Sequence, residues 1–237
     1  MEIAYVIGYL KEGSMEVDNP FRVGEAMLLI HQSISRGIHM SGLYTRIFMQ
    51  AGLPDGRIRP GFADYVRSLT SVLHAHHLAE DELTFPRLRD LLPEAPYERL
   101  ANDHCELAPV AAEIRSKIER AVADPESGDA LGRIDSLLTR LAEIWRPHIA
   151  VEEAHFSPAR IDAVLSAEEQ IRLLALIGEA NHEHSGPDYL VVPFTLFNLP
   201  QKDRSTMSGL MPPAVKRDLI PTAWKEKWQP MSPFLLV

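Results

Sequence analysis

The sequence predicts an all-α protein: an up-down-up-down four-helix bundle followed by a short fifth helix and a proline-rich C-terminal extension. Three observations lead to this fold class. Four long stretches carry apolar residues at helical spacing, turn-forming residues separate them, and 46% of the 237 residues are hydrophobic. Long helices joined by short loops lie antiparallel to their neighbours, which is the arrangement of an up-down bundle.

We divide the chain into three parts by composition and periodicity. An N-terminal arm at 1–20 ends at the turn-forming Pro20, and the bundle occupies residues 21–165. A C-terminal helix and irregular extension follow at 166–237. We expect this last part to pack on the bundle, because it is too apolar to remain a free tail.

The first two helices form one predicted hairpin. The first begins at about residue 21 and ends at the turn sequence LPDGRIRP, residues 53–60. The second ends near Leu92, where a proline follows. Each presents one stripe of residues at helical spacing: Met27, His31, Ile34 and Ile38 on the first, and Phe62, Val66, Leu69, Leu73 and His76 on the second.

The third and fourth helices form a second hairpin. The third runs from about 96 to 123, a loop of breakers and small polar residues spans 123–129, and the fourth runs from about 130 to 161. Their stripes again follow the helical period: Tyr97, Leu100, His104, Leu107 and Ile114 on the third, and Leu131, Ile134, Leu138, Leu141, Ile144 and His148 on the fourth.

A fifth helix and a proline-rich segment complete the chain. Ser166 and Glu169 form a capping-box pattern, which predicts a helix ending around residues 182–186. Residues 186–237 contain eight of the eighteen prolines and two of the three tryptophans. We therefore expect this segment to wrap over the bundle with no more than short helical turns.

Two stretches repeat one pattern of ionisable residues: HHLAEDELTFP at 76–86 and HIAVEEAHFSP at 148–158. Each contains His-x-x-x-Glu, a further acid directly after the Glu, and a proline six positions beyond it. Each pattern is preceded by a lone histidine on an apolar stripe. His31 lies 45 residues before His76, and His104 lies 44 residues before His148. The repeat selects six candidate metal ligands: His31, His76, Glu80, His104, His148 and Glu152.

Helical geometry explains why these residue types recur at this spacing. Four residues rise about 6 Å and return almost to the same side of a helix, so each imidazole stacks beside its carboxylate. All six candidates lie on stripes that otherwise face the core, where unpaired charge is costly. Surface His–Glu pairs would explain either pattern alone, but not the repetition on inward faces.

Converging imidazoles and carboxylates predict two metal ions in the bundle. Each ion takes two histidines, and both glutamates bridge. Nitrogen and oxygen donors without thiolate favour iron or manganese over a closed structural zinc site. Asp81 and Glu82, the two acids that follow Glu80, are expected to face solvent.

The composition argues against several other classes of protein. The net charge is −9 and no dense run of Lys or Arg occurs, which argues against nucleic-acid or anionic-membrane binding. A single cysteine, Cys105, excludes an intrachain disulfide and fits a reducing compartment. Because the N-terminus lacks a basic region and no apolar run is long enough to span a membrane, we expect a cytoplasmic protein.

The six residues give the chain a family resemblance. It resembles the hemerythrin-like (HHE cation-binding) family over residues 21–165, since that family carries the order His, His-x-x-x-Glu, His, His-x-x-x-Glu. The resemblance implies a dinuclear non-haem iron centre in a four-helix bundle, with manganese or mixed occupancy as an alternative. It also implies that the protein binds or senses O2, or reacts with NO or peroxide.

The chain departs from the oxygen-carrying members in its ligand pattern. Those proteins have His-x-x-x-His on the third helix, whereas this chain has Leu100 and Ala108 around its histidine. They also use Asp where this chain has Glu152. Fewer histidines leave more open positions on the metals. We expect His77 to face solvent or lie outside the ligand set, and Cys105 to be a buried, inert thiol.

Alternative functions follow from the same residues. A diiron oxidase or oxygenase would act on a small organic substrate, with the C-terminal extension as pocket or lid. A metal-stabilised interaction module would use that extension as a homodimer interface. A ferritin-like reading of Glu152-x-x-His155 and Glu179-x-x-His182 leaves the repeated histidines without a role. His39 and His155 either orient a ligand or face solvent.

Overall fold

The computed structural model of the protein describes residues 22–54, 56–124 and 128–237. Within these ranges every regular element is a helix, as predicted, and none is long and apolar enough to cross a membrane. The predicted N-terminal arm at 1–20 lies outside the described residues, as does part of the loop at 123–129.

Four long helices form the bundle: α1 (Val23–Ala51), α2 (Ile58–Ala79), α4 (Tyr97–Ala123) and α5 (Gly128–His155). Helix α3 is the short element Phe85–Leu88. Helices α1 and α4 each pack against both α2 and α5, which closes a ring of four helices. This confirms a helical bundle, whereas the up-down-up-down order of helix directions stays a prediction.

The second predicted helix is interrupted directly after its ligand pattern. A π-helical turn, Glu80–Thr84, separates α2 from α3, and the Phe85 N–H donates to the Glu80 carbonyl five residues earlier. Pro86 cannot donate to the preceding turn and its ring crowds that turn, so the helix widens there. The wider turn leaves both Glu80 and Phe85 facing the interior, where both are buried.

The fourth predicted helix ends earlier than expected. Helix α5 stops at His155, and α6 (Pro158–Val164) follows after a break at Ser157. The extension of this helix to residue 161 was therefore wrong, because the residue before a proline disfavours the helical conformation. Glu152 consequently lies in the last turn of α5.

The C-terminal part of the chain is more helical than predicted. The capping box at Ser166 and Glu169 is present and opens α7. The elements after residue 165 are α7 (Ala167–His184), α8 (Asp188–Phe197), α9 (Gln201–Ser208), a π-helix (Val215–Ala223), α10 (Lys225–Trp228) and a 3₁₀ segment (Gln229–Phe234). Of these, α7, α8 and the 3₁₀ segment all pack against α2.

A partly buried polar network joins the extension to the bundle. Arg36 of α1 donates to the Asn198 side chain at 2.8 Å and to the Phe234 carbonyl at 2.9 Å. The Tyr65 hydroxyl of α2 donates to the same Asn198 oxygen at 2.7 Å. One arginine thus bonds two separate parts of the extension.

Two apolar clusters meet at the level of the candidate ligands. On α1, Met27 belongs to one cluster and Ile34 to the other, with His31 between them. On α4, Leu100 and Leu107 divide in the same way around His104. The bundle therefore surrounds its polar centre with apolar packing on both sides.

Candidate metal centre

The structure brings all six predicted ligands together in the bundle interior, and each is buried. They come from every long helix and from the π-helical turn, because the inward stripes of the four helices face one another. Their donor atoms fall into two groups that share a carboxylate. Within each group the atoms lie within 4.8 Å of one another: group A contains His31, His76, Glu80 and Glu152, and group B contains His77, Glu80, His104 and His148.

Glu80 faces both groups. Its Oε1 lies 3.4 Å from His76 Nε2 in group A, and its Oε2 lies 3.6 Å from His104 Nε2 in group B. Donor atoms bound to one ion at about 2.0–2.2 Å lie roughly 3 Å apart. The separations of 3.4 and 3.6 Å are close to that distance, and each oxygen faces a different group of imidazoles.

Glu152 divides its oxygens in the same way. Its Oε2 lies 3.2 Å from His31 Nε2, and its Oε1 lies 3.3 Å from His148 Nε2. Glu152 is fully buried, with 0% of its surface exposed. Both carboxylates thus lie between the two sets of imidazoles, with one oxygen toward each set.

Several buried donor atoms of the centre face one another but make no hydrogen bond of good geometry. Both oxygens of Glu80 and of Glu152 make no hydrogen bond within the described residues, nor does the Nε2 atom of His31, His76 or His77. Buried polar atoms without partners are rare and destabilising. Divalent cations bound by these atoms would satisfy them and offset the carboxylate charge, so the residues present fit a metal centre.

The surroundings shift the pKa values of the buried groups in different directions. Burial, followed by the charge of Glu152, raises the pKa of Glu80 well above its usual range. Burial opposes ionisation of Glu152 too, but contacts with His148 and His31 outweigh it and lower the pKa of Glu152. Burial and neighbouring imidazoles lower the pKa of His76. Its imidazole is therefore neutral at pH 7, the form that binds metal.

Glu80→Gln is expected to have opposite effects on stability with and without metal. In chelated protein at about pH 8, the substitution removes a buried carboxyl group whose raised pKa makes folding costly at that pH, and it stabilises by about 1–3 kcal/mol. The raised pKa means that this penalty disappears below about pH 4, where Glu80 is protonated in both folded and unfolded chains. In metal-loaded protein the same change removes a ligand and destabilises.

Denaturant unfolding of both forms at both pH values measures these effects. The exposed neighbour Glu82 supplies the control, because Glu82→Gln should leave stability nearly unchanged. Destabilisation of the chelated protein by Glu80→Gln at pH 8 would contradict the expectation.

Carboxylates outside the two groups contact three of the imidazoles, and two of these contacts are short, whereas that of His148 with Asp103 is 3.4 Å. His31 Nδ1 lies 3.0 Å from Glu153 Oε1, and His104 Nδ1 lies 3.0 Å from Asp81 Oδ1. These acids directly follow Glu152 and Glu80 in the repeat. Each holds the imidazole of a neighbouring helix with Nε2 toward the centre. Asp81 is exposed to solvent, as predicted, but its carboxylate, 40% exposed, also reaches across to His104 on α4, a contact that the sequence did not predict.

Asp81→Asn and Glu153→Gln are each expected to weaken metal binding by about 10- to 100-fold, because an amide orients the imidazole less strongly. Chelator competition measures the affinity. Asp90→Asn, at an exposed position on the turn after α3, is the matched control and should bind as the unaltered protein does. Equal affinities in all three variants would show that the two acids do not support the ligands.

His77 lies inside the centre, and the expectation that it faces solvent was wrong. Only 6% of its surface is exposed. Its ring stacks on His104 at a centroid distance of 4.0 Å and meets the His148 ring edge-on at 5.5 Å. The side chains of adjacent helical residues point about 100° apart. His76 and His77 are nevertheless both buried, because α2 packs against α1, α4, α7 and α8. Group B therefore contains three histidines, although α4 carries Ala108.

Trp145 of α5 is a second residue that the sequence pattern did not identify. It is buried, and its Nε1–H donates to the Ser35 hydroxyl at 2.9 Å. Its indole packs against four imidazoles at centroid distances of 5.5, 6.1, 6.0 and 5.8 Å: His31, His76, His77 and His148. The only sequence signal was its position three residues before His148. Trp145 separates the polar centre from the apolar core beside it.

Other candidates lie outside both groups. His39 is exposed, and His155 is partly exposed. His182 contacts Asp188 at 2.9 Å, so the ferritin-like set does not assemble within the described residues. Cys105 is exposed, and the prediction of a buried thiol was wrong. It faces outward because it follows an inward-facing residue on α4.

A helical bundle with a buried cluster of imidazoles and carboxylates defines a candidate metal-binding protein. A family model, the hemerythrin HHE cation-binding domain, matches residues 25–159. This match covers more than half of the chain, so the protein belongs to that family, as the resemblance predicted. Searches of curated proteins and of solved structures found no match. The family binds metal cations, and the cluster in this chain is compatible with that role.

Proposed function

We propose that the protein holds a dinuclear iron centre that binds O2 or a related small ligand such as NO or peroxide. One observation carries the proposal. Glu80 and Glu152 each direct one carboxylate oxygen toward the imidazoles of group A and the other toward those of group B. Carboxylates in this arrangement join two ions. Imidazole and carboxylate donors without thiolate favour iron, with manganese as the alternative.

The residues divide between two ions in this proposal. His31 and His76 hold one ion, and three histidines hold the other: His77, His104 and His148. Both glutamates would be shared between the ions, and so few protein donors for each ion would leave room for a small ligand. When bound, a pair of iron ions supplies the two electrons that O2 takes up. The protein's own part is to hold the imidazoles in place and to exclude bulk water with Trp145 and Phe85, which pack against them.

A groove beside group B favours a second candidate function, a diiron oxidase or oxygenase. The groove has a volume of about 380 Å³, and its lining includes His77 and His104. Small-molecule sites occupy about 300–1,000 Å³, so an organic substrate fits this space. Of the predicted C-terminal lid, only His184 is among the lining residues. The second candidate therefore depends on the groove between α2 and α4, not on the extension.

The two candidates are expected to respond differently to O2. The iron-loaded protein is reduced without oxygen and then exposed to O2 while its visible spectrum and O2 uptake are recorded. A new band that disappears when O2 is removed supports ligand binding, because the centre returns to its starting state. Continued uptake only with an organic substrate supports the oxidase. A spectrum that does not change, with no uptake, refutes both.

A further inference from the structure

The groove beside group B has one polar end and an apolar middle. His77 and His104 lie at one end, where their rings also belong to the candidate metal centre. Small and apolar side chains form the walls between α2 and α4: Leu73, Leu78, Ala108, Ala111 and Ala112. The three alanines recur at helical spacing on α4 and leave space where larger side chains would fill the groove.

A cation lies at the other end. Arg115 Nη1 donates to the Ser71 hydroxyl at 3.2 Å, and both residues line the groove. Among the described residues no carboxylate lies within ion-pair distance of Arg115. The nearby Glu119 is already held by two bonds of 2.6 Å from Arg67. A guanidinium has five N–H donors, so Arg115 retains donors for an anion from outside the chain.

The other charged groups of the groove leave this site open to an anion. Asp81 lines the groove, but its carboxylate accepts from His104 Nδ1 at 3.0 Å. His74 and His184 are exposed at the rim and add no negative charge. Attraction from Arg115 is therefore the main electrostatic feature away from the metal centre.

We propose that the groove binds a small organic anion, with its carboxylate on Arg115 and its apolar body along the α4 alanines. The opposite end of the molecule then lies beside His77 and His104. Ser71 and His77 are six residues apart on α2, which corresponds to about 9 Å of rise, the reach of a short-chain or aromatic carboxylate. The position of the reacting end rests on the proposed metal centre, whereas binding of the anion does not.

Cys105, the single cysteine of the chain, lines the same groove and reports its occupancy. The rate of Cys105 alkylation by iodoacetamide is measured on the metal-containing protein with hexanoate or its neutral analogue hexanamide. At a hexanoate concentration about ten times its Kd, alkylation is expected to slow about ten-fold, since bound ligand covers the thiol. Hexanamide is expected to protect far less.

Three variants locate the binding. Arg115→Gln is expected to abolish the difference between hexanoate and hexanamide. Ala112→Leu, at an exposed position, is expected to reduce protection by filling the groove. Arg120→Gln, on the same helix but outside the lining, should retain full protection.

The metal content of the same samples distinguishes the possible failures. Protein that holds its metal but shows no protection by hexanoate overturns the groove proposal and leaves the metal centre intact. Equal protection by hexanamide, unchanged in Arg115→Gln, overturns the assignment to anions. Protection by hexanoate in protein that cannot retain metal supports the groove and refutes the proposed function.

Discussion

Glu152→Gln is expected to remove metal from the protein. Glu152 is fully buried, with its two oxygens 3.2 Å from His31 and 3.3 Å from His148, one in each direction. Glutamine has nearly the same shape but replaces one oxygen with an N–H donor and removes the charge. Because even residues that only support ligands change affinity by 10- to 100-fold, we expect at least about a 100-fold loss. Metal analysis after dialysis and chelator competition measure it.

The control is Glu143→Gln, on the same helix, where the side chain is 63% exposed. It should retain metal in full. Circular dichroism shows whether Glu152→Gln is folded, which separates loss of a ligand from loss of the bundle. Folded Glu152→Gln protein that retains its metal at the original affinity would refute the bridging role of this residue.

Gly61→Ala is expected to detach the 3₁₀ segment from α2. A Cβ atom at Gly61 would meet the Pro230 carbonyl oxygen and carbon far inside van der Waals distance, and these backbone atoms cannot rotate away. Relief requires the segment to move, which exposes Met231 and Phe234, both fully buried. Since burial of each such side chain contributes about 1.5–3 kcal/mol, we expect a stability loss of about 2–4 kcal/mol.

Denaturant unfolding and limited proteolysis of the C-terminal segment measure this effect. Gly132→Ala is the matched control, because a Cβ atom there meets nothing within 4 Å on α5. It should stabilise by about 0.5–1 kcal/mol through better helix propensity. Gly61 lies about 22 Å along α2 from His76, so metal binding should persist in Gly61→Ala. Equal stability of the two variants would contradict the packing described here.

The helical period alone predicted much of this molecule. Two His-x-x-x-Glu patterns and two lone upstream histidines, all embedded in apolar stripes, identified six residues that are buried in the candidate centre. The direction of a side chain on a helix follows from local backbone geometry, which the order of residues encodes directly. A different local signal, the capping box of Ser166 and Glu169, predicted the start of α7.

Helix ends were harder to predict where proline competes with a long apolar stripe. The predicted fourth helix continued to about residue 161, but α5 ends at His155, before Pro158. Pro86 instead widened the helix into a π-turn that aligns Glu80 with Phe85. Whether a proline breaks or deforms a helix depends on what packs around it, so two similar motifs had different outcomes.

Burial, unlike direction, was decided by the tertiary structure. The period placed His76 inward and left its neighbour His77 facing elsewhere. His77 is buried because four other helices pack around α2, and this leaves it in contact with His104. The groove at Arg115 likewise requires α2 and α4 to lie side by side. The amino-acid order thus sets which side of a helix each residue occupies, whereas only packing between distant segments decides which sides are covered.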